Sequence, residues 1–473
     1  MKFLPVDITF EVEEGNCLVI VTDDTGHKHP HSVSSVDKFT QKFIASDAFK
    51  RVLRGLHSGN EYGGNRPTID AAKHYTEICG KELYKAFLSA VADDLIESAG
   101  GRFCQFVLSI PPSLQCLPWE LLYKPDFGYL AIEGSLIRKP IEVPPNRDAP
   151  RGPLHLVHSF NEVKPDWLIP DMPPFLNTVV ENASENASQP ENVCIKVKPF
   201  KNDPLKKHLG WYSSLATNKS RRLSSSRSGN FACGVMIITH GIVNREENGT
   251  NYEGRFIIRD NRKRGEQFGY DIGRPRCSSH ILNYLLDKAI ADSSRFRLAV
   301  LSSCYSAAAL GWDVDKSPNL RDSIRPTMVK FLERSDMLIG MQYKVNFWAV
   351  YMLHAIILDI ITHCNDPGYL CGPYPYSYAD LHNHFDVVMT LARRCIKDPD
   401  EAHSHLPTCI RVGENDDEPG QYYNEHCHLH WWVPTLYANG NEDLALFSLR
   451  PSADKPSFLD RYKALFRTMG RRL

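Results

Sequence analysis

The stretches Gly234-Val-Met-Ile-Ile-Thr-His-Gly241 and Arg297-Leu-Ala-Val-Leu-Ser-Ser-Cys-Tyr305 decide the fold class of this chain. Each is a short, almost continuously apolar run closed by small or polar residues. That pattern reads as a strand buried on both faces, the condition of a parallel sheet covered by helices. Each run also delivers one reactive side chain where it ends, His240 in the first and Cys304 in the second. In open α/β sheets functional residues gather beyond the carboxyl ends of the strands, so both stand where chemistry is expected.

Outward from this pair, strands and helices alternate. Helical periodicity near Ser279–Asp292 leads into the Cys304 strand, and Pro326–Arg334 leads into the apolar run Asp336-Met-Leu-Ile-Gly-Met-Gln342. A long apolar helix over Phe347–Ile361 and another near Tyr378–Cys395 follow. His354 and Asp359 interrupt the first of these, which is too short for a bilayer span and reads as a core helix. Upstream, Leu154–Ser159 and Val193–Lys198 read as further strands. The Ser- and Arg-rich segment near 216–230 cannot bury enough apolar surface to order itself and reads as a loop open to regulation or cleavage.

The first part of the chain carries the same alternation. Asp7–Glu13 and Asn16–Thr22 read as strands, Val36–His57 and Ile69–Ser98 as helices, and Phe103–Ile110 as a strand closed by Pro111-Pro112. Gly128–Arg138 reads as a hairpin. The Pro-rich stretch 143–153 marks the clearest boundary, so we expect a companion domain over 1–150 and a second domain over 151–473. No repeat of solenoid length is present.

With 473 residues, two domains are the ordinary expectation. Hydrophobic residues make up 42%, charged residues 23%, and the net charge is −1. This balance gives no electrostatic case for binding nucleic acid or a membrane surface. Thirteen cysteines, an odd count without a C-x-x-C pair, argue against a disulfide framework and for a reducing cytoplasm. The sequons at Asn182, Asn186, Asn218 and Asn248 then read as chance matches, because Pro5 and Asp7 interrupt any signal-peptide core.

Cysteine chemistry needs a thiolate, an imidazole to take or hold its proton, and N–H donors for an oxyanion. Cys304 and His240 supply the first two. The amides of Gly241 and Cys304 are candidates for the third, since Gly241 has no Cβ to keep a carbonyl away. Taken alone, a cysteine ending a buried strand is more often a small hydrophobe, and a His-Gly pair more often a turn.

Several further stretches stand in a telling order. These are Leu117-Pro-Trp-Glu-Leu-Leu-Tyr123, Ser135-Leu-Ile-Arg138, Ile238-Thr-His-Gly241, Val300-Leu-Ser-Ser-Cys-Tyr-Ser-Ala307, Leu338–Val345, Leu391-Ala-Arg393 and Trp432-Val-Pro-Thr-Leu-Tyr437. Together, over roughly residues 100–440, they resemble the CHAT family of caspase-like cysteine peptidases, in the clan of caspases, metacaspases and separase. The resemblance implies a caspase-like, mostly parallel sheet sandwiched by helices, with residues 1–150 as a non-catalytic pseudo-peptidase companion. It implies an endopeptidase in which His240 assists Cys304 and the Gly241 and Cys304 amides hold the oxyanion. It also implies limited proteolysis of a specific protein, for example a gasdermin-like pore-former, in a bacterial defence or cell-death pathway under an activating partner. A catalytically inactive scaffold of the same fold is the alternative.

Two departures shape the expectation. Clan members that cleave after basic residues hold an acid near the segment that here reads Tyr343-Lys-Val-Asn-Phe347, or at the position of Ser302. With Ser302, Tyr343, Asn346 and Phe347 as the substrate-pocket candidates, an arginine would be buried without a carboxylate, so a neutral or apolar residue is expected there. The chain also lacks the repeat array many relatives carry, which points to a partner, self-cleavage or a loop movement for activation, 311–319 being the first candidate. No cofactor is expected. His403, His405, Cys409, His426, Cys427, His428 and His430 crowd an insertion near 400–430, and their spacing fits no standard zinc finger. A polar surface loop is the reading and a structural zinc the lesser alternative, for which His426 and His428, or His428 and His430, would share a face of an extended strand.

Overall fold

A computed structural model describes residues 3–56, 67–141, 143, 154–160, 176, 179–183, 193–199, 232–238, 241–245, 252–256, 296–304, 306–307, 331–332, 335–363, 381, 383–398, 425–439 and 444. His240, the segments 216–230 and 311–319, and most of the insertion near 400–424 lie outside the described residues, as does the helix expected at 279–292.

The strands, in chain order, are β1 (Phe3–Glu13), β2 (Asn16–Thr22), β3 (Lys28–Val33), β4 (Phe103–Ile110), β5 (Tyr123–Lys124), β6 (Gly128–Tyr129), β7 (Ser135–Pro140), β8 (Leu154–Phe160), β9 (Val193–Pro199), β10 (Ala232–Ile238), β11 (Gly241–Arg245), β12 (Tyr252–Phe256), β13 (Phe296–Ser302), β14 (Ser335–Met341) and β15 (Pro434–Ala438). Eleven of them form one sheet, ordered β3-β2-β1-β4-β7-β15-β14-β13-β10-β8-β9. Strands from before and after the Pro-rich stretch thus share a single sheet.

The sheet contains two parallel sets that run in opposite directions. β1, β4, β7 and β15 are mutually parallel, as are β14, β13, β10, β8 and β9. They meet where β15 pairs antiparallel with β14, with Ile339 opposite Leu436. A strand late in the sequence therefore fills the seam. At the far edge, β1 and β2 are joined by a two-residue turn, Glu14-Gly15, with both residues at positive φ, the conformation whose twist matches a hairpin.

Burial follows the sequence pattern. Along β4, Cys104, Phe106, Leu108 and Ile110 are buried while their alternates are half-exposed, and all seven residues of β14 are buried. The helices are α1 (Val36–Ala45), α2 (Asp47–Gly55), α3 (Ile69–Phe87), α4 (Ser89–Glu97), α5 (Leu130–Glu133), α6 (Phe347–His363) and α7 (Phe385–Lys397). They cover both faces of the first set. Phe10 of β1 meets Phe87 of α3 and Trp119, whereas Phe3, on the opposite face, stacks on His384 beside α7. The long helices read over 36–57 and 69–98 are each broken. At Ser46 the side chain leaves the helical register and caps α2, accepting from the Phe49 amide at 3.2 Å; Leu88 separates α3 from α4. The hairpin read at Gly128–Arg138 is also corrected: β6 pairs with β5, α5 intervenes, and β7 joins the main sheet instead. No helix among the described residues is long and apolar enough to cross a membrane.

Candidate active site

β10 and β13 are neighbours and parallel, and their last paired residues are Ile238 and Ser302. In sequence, His240 and Cys304 each follow their paired residue by two positions. The two adjacent strands thus end level with one another, just before the residues whose chemistry the sequence singled out. Gly241 begins β11 and pairs with Phe256 of β12.

Cys304 is half-buried, whereas Cys17, Cys79, Cys104, Cys116, Cys395 and Cys427 are buried. Burial pushes the thiols of Cys17, Cys79 and Cys116 up to about 12, and Cys104 to about 11. Those four are small hydrophobes held as neutral thiols. The Cys304 thiol lies 3.8 Å from the Val345 carbonyl, toward which it donates.

The turn that carries Cys304 is stitched to the end of β14. Ser306 donates its hydroxyl to the Leu301 carbonyl at 2.6 Å and accepts from the Met341 amide at 2.8 Å. The Ala307 amide donates to the Met341 carbonyl at 3.0 Å. Gly340 makes this approach possible, since a Cβ there would sit 2.6 Å from the Ala307 Cβ. These contacts join positions some 35 apart and leave no local periodicity to read.

The pocket candidates divide into two pairs. Ser302 is buried and shares a 2.7 Å hydrogen bond with Nε2 of His354, a buried residue of α6. Tyr343 is buried too, its hydroxyl donating to the Cys116 carbonyl at 3.1 Å and its ring packing on Trp432; burial holds its phenol well above the usual range. Neither side chain opens to solvent. Asn346 and Phe347 are half-buried. Asn346 caps α6, its side-chain oxygen accepting from the Trp348 amide at 2.8 Å, while its own amide donates to Nδ1 of His430 at 3.3 Å.

That histidine is buried and lies in a 3-10 helix, Glu425–Trp432, rather than in the polar loop read there. His428 approaches the Ile396 carbonyl through Nδ1 at 3.1 Å. Among the described residues no group of three or more His, Cys, Asp or Glu side chains could hold a metal ion.

A second cluster assembles from the other motifs. Glu120, of the Pro-Trp-Glu stretch, is fully buried and ion-paired to the equally buried Arg138, which ends Ser-Leu-Ile-Arg. Arg138 donates from Nε to Glu120 at 3.0 Å, from Nη1 to the Gln115 carbonyl at 3.0 Å and from Nη2 to Oε1 of Gln342 at 2.8 Å. Gln342 returns Nε2 to the Gln115 carbonyl at 2.9 Å. Arg393, from Leu-Ala-Arg, reaches within 3.9 Å of Glu120 and donates to the Pro434 carbonyl, but among the described residues its Nε and Nη1 have no hydrogen-bond partner. Two guanidinium groups therefore share one carboxylate. Burial pulls Arg393 down to about 10 despite Glu120, with Arg138 adding to the fall. For Arg138, burial opposes the charge, but Glu120 and its hydrogen bonds hold the group above its ordinary value. α7 also carries Asp386, Arg394 and Lys397, so the charge pattern of the helix did not single out Arg393.

No protein-family model matches the chain, and no curated protein matches it. Among solved structures, the separase–securin complex of Saccharomyces cerevisiae is similar to it at a TM-score of 0.33 and 11% sequence identity. The match covers 92% of this chain and 30% of that one, so this chain spans less than a third of the structure it resembles.

Proposed function

We propose that this chain is a caspase-like cysteine endopeptidase in which Cys304 is the nucleophile and His240 its base. The observation that carries the reading is the level ending of β10 and β13, with a half-buried Cys304 at the carboxyl edge of a parallel set, where α/β enzymes do their chemistry. In the proposed reaction His240 takes the thiol proton, and the thiolate adds to a peptide carbonyl. The oxyanion is held by the Gly241 and Cys304 amides, and His240 returns the proton to the departing amine. Water then hydrolyses the acyl-enzyme. Asn346 and Phe347 are the pocket residues on the exposed side of this site. Residues 1–150 serve as the non-catalytic companion and 151–473 carry the reaction. The substrate class is a folded protein cut at a limited number of places, such as a gasdermin-like pore-former, with an activating partner upstream.

A peptide acyloxymethyl ketone probe tests the reading. Labelling of the wild-type chain, lost in both Cys304→Ala and His240→Ala, is the expected result. Labelling that survives Cys304→Ala assigns the nucleophile elsewhere, and full labelling of His240→Ala sinks the dyad.

A further inference from the structure

The buried Glu120–Arg138 cluster and the Cys304 turn are joined through one short segment. Gln342 follows β14 directly and is gripped from the first part of the chain. It accepts from Arg138 and donates to the Gln115 carbonyl, while the next residue, Tyr343, donates to the Cys116 carbonyl. One residue before Gln342, the Met341 backbone bonds both Ser306 and Ala307 of the nucleophile turn. Three residues after it, Val345 presents its carbonyl to the Cys304 thiol. The far end of the segment is pinned at Asn346 by His430 and by the cap of α6. The acceptor for the thiol therefore sits in a segment held at one end by Gln342 and Tyr343 and at the other by Asn346.

We propose that Gln342 and Tyr343 are positioning residues through which the Glu120–Arg138 cluster holds the 342–346 segment against the Cys304 thiol. The inference rests on the peptidase reading for its consequence in turnover, but not for the geometry it tests. With the grip intact, the Val345 carbonyl both aims the thiol and shields it. When the grip is lost, the segment moves off Cys304: a small reagent gains access and the thiol loses its acceptor, while the aim needed for attack on a peptide is lost. Reactivity toward a small alkylating agent and turnover of a peptide should thus change in opposite directions.

The experiment compares Gln342→Met, Gln342→Glu and Tyr343→Phe with the wild-type full-length chain. Gln342→Met has similar length and neither polar atom, Gln342→Glu keeps the acceptor for Arg138 but loses the donor to the Gln115 carbonyl, and Tyr343→Phe keeps the ring and loses only the hydroxyl. Lys124→Met, which removes the ion pair to Glu97 at 3.2 Å, is the control. Iodoacetamide alkylation of the Cys304 peptide under native conditions is read by mass spectrometry. Alkylation is expected to rise about threefold or more in Gln342→Met and Tyr343→Phe, to rise in Gln342→Glu as well, because its carboxylate meets the Gln115 carbonyl where the amide donated, and to be unchanged in Lys124→Met. Where a peptide substrate is turned over, kcat should fall by about tenfold with KM little changed in the first two variants. Unchanged alkylation in a folded Gln342→Met or Tyr343→Phe variant overturns the proposal, as does a rise of the same size in Lys124→Met. If Gln342→Met fails to fold by circular dichroism, Tyr343→Phe decides. Absence of peptide turnover in the wild type speaks against the peptidase reading alone, because the alkylation result stands without it.

Discussion

Glu120→Gln is the most informative perturbation of this fold, because it removes charge while preserving shape. Among the described residues, Glu120 is the one carboxylate ion-paired to the two buried guanidinium groups, and Arg138 binds it through both Nε and Nη2. Arginine does not give up its proton under native conditions, so the variant leaves two like charges in an interior without a counter-ion. Removing one partner of a buried ion pair costs about 3–5 kcal/mol. Against total stabilities of about 5–15 kcal/mol this is a large fraction. Urea unfolding followed by tryptophan fluorescence measures it. Trp119 and Trp432 are both buried near the seam, so they report on this region. Arg393→Met supplies the contrast. It removes the guanidinium with two partnerless nitrogens and leaves a matched pair of one acid and one base. An unsatisfied buried charge replaced by an apolar side chain of similar length is close to neutral or stabilising, so a change within about 1 kcal/mol is expected. The double variant should recover part of the Glu120→Gln loss, because one surplus charge goes with Arg393. If Glu120→Gln falls within about 1 kcal/mol of wild type, or Arg393→Met is as damaging as Glu120→Gln, the charge accounting is wrong.

Gly340→Ala forces a contact of 2.6 Å with the Ala307 Cβ, and overpacking of this kind costs about 1–3 kcal/mol. Since Ala307 belongs to the nucleophile turn, probe labelling of Cys304 should fall as the melting temperature does; labelling that keeps its wild-type rate would show that the turn tolerates the shift. In native protein near pH 8, Cys304 should be alkylated well before Cys17, Cys79, Cys104 and Cys116, whose thiols burial holds at about 11–12. The sign follows from the thiolate being the reactive form and becoming populated only as pH approaches the thiol's pKa; equal rates across the five peptides would refute it. A peptide-library cleavage profile should show neutral or apolar residues before the scissile bond, since Lys344 is the charged residue in the 343–347 segment and an arginine would meet no acid there. Cleavage mainly after Arg or Lys would reverse that expectation.

Strand periodicity was legible because it is local. The alternation in Phe103–Ile110 and the unbroken apolar runs of β13 and β14 announced half-buried and fully buried strands without reference to any partner. The His240 and Cys304 candidates were legible for the same reason, each sitting at the end of such a run. Helix ends were less so. Apolar spacing continues through Ser46 and Leu88; at Ser46 a capping hydroxyl ends the helix without disturbing that spacing, and at Leu88 the chain breaks with no side-chain cap.

By itself, then, the sequence determined an α/β chain with parallel strands and the order of its main elements, and it put forward His240 and Cys304 as candidates. The tertiary structure alone decided that β15 closes the seam between two opposed parallel sets, that Tyr343 and Ser302 turn inward, and that Glu120, Arg138, Gln342 and Arg393 meet in one buried cluster. The physical reason is range. Periodicity records which face of an element is apolar, whereas the bond from Arg138 to Gln342 joins positions 204 residues apart. A charged side chain read one element at a time is assigned to solvent, and only its partners can show that it belongs inside.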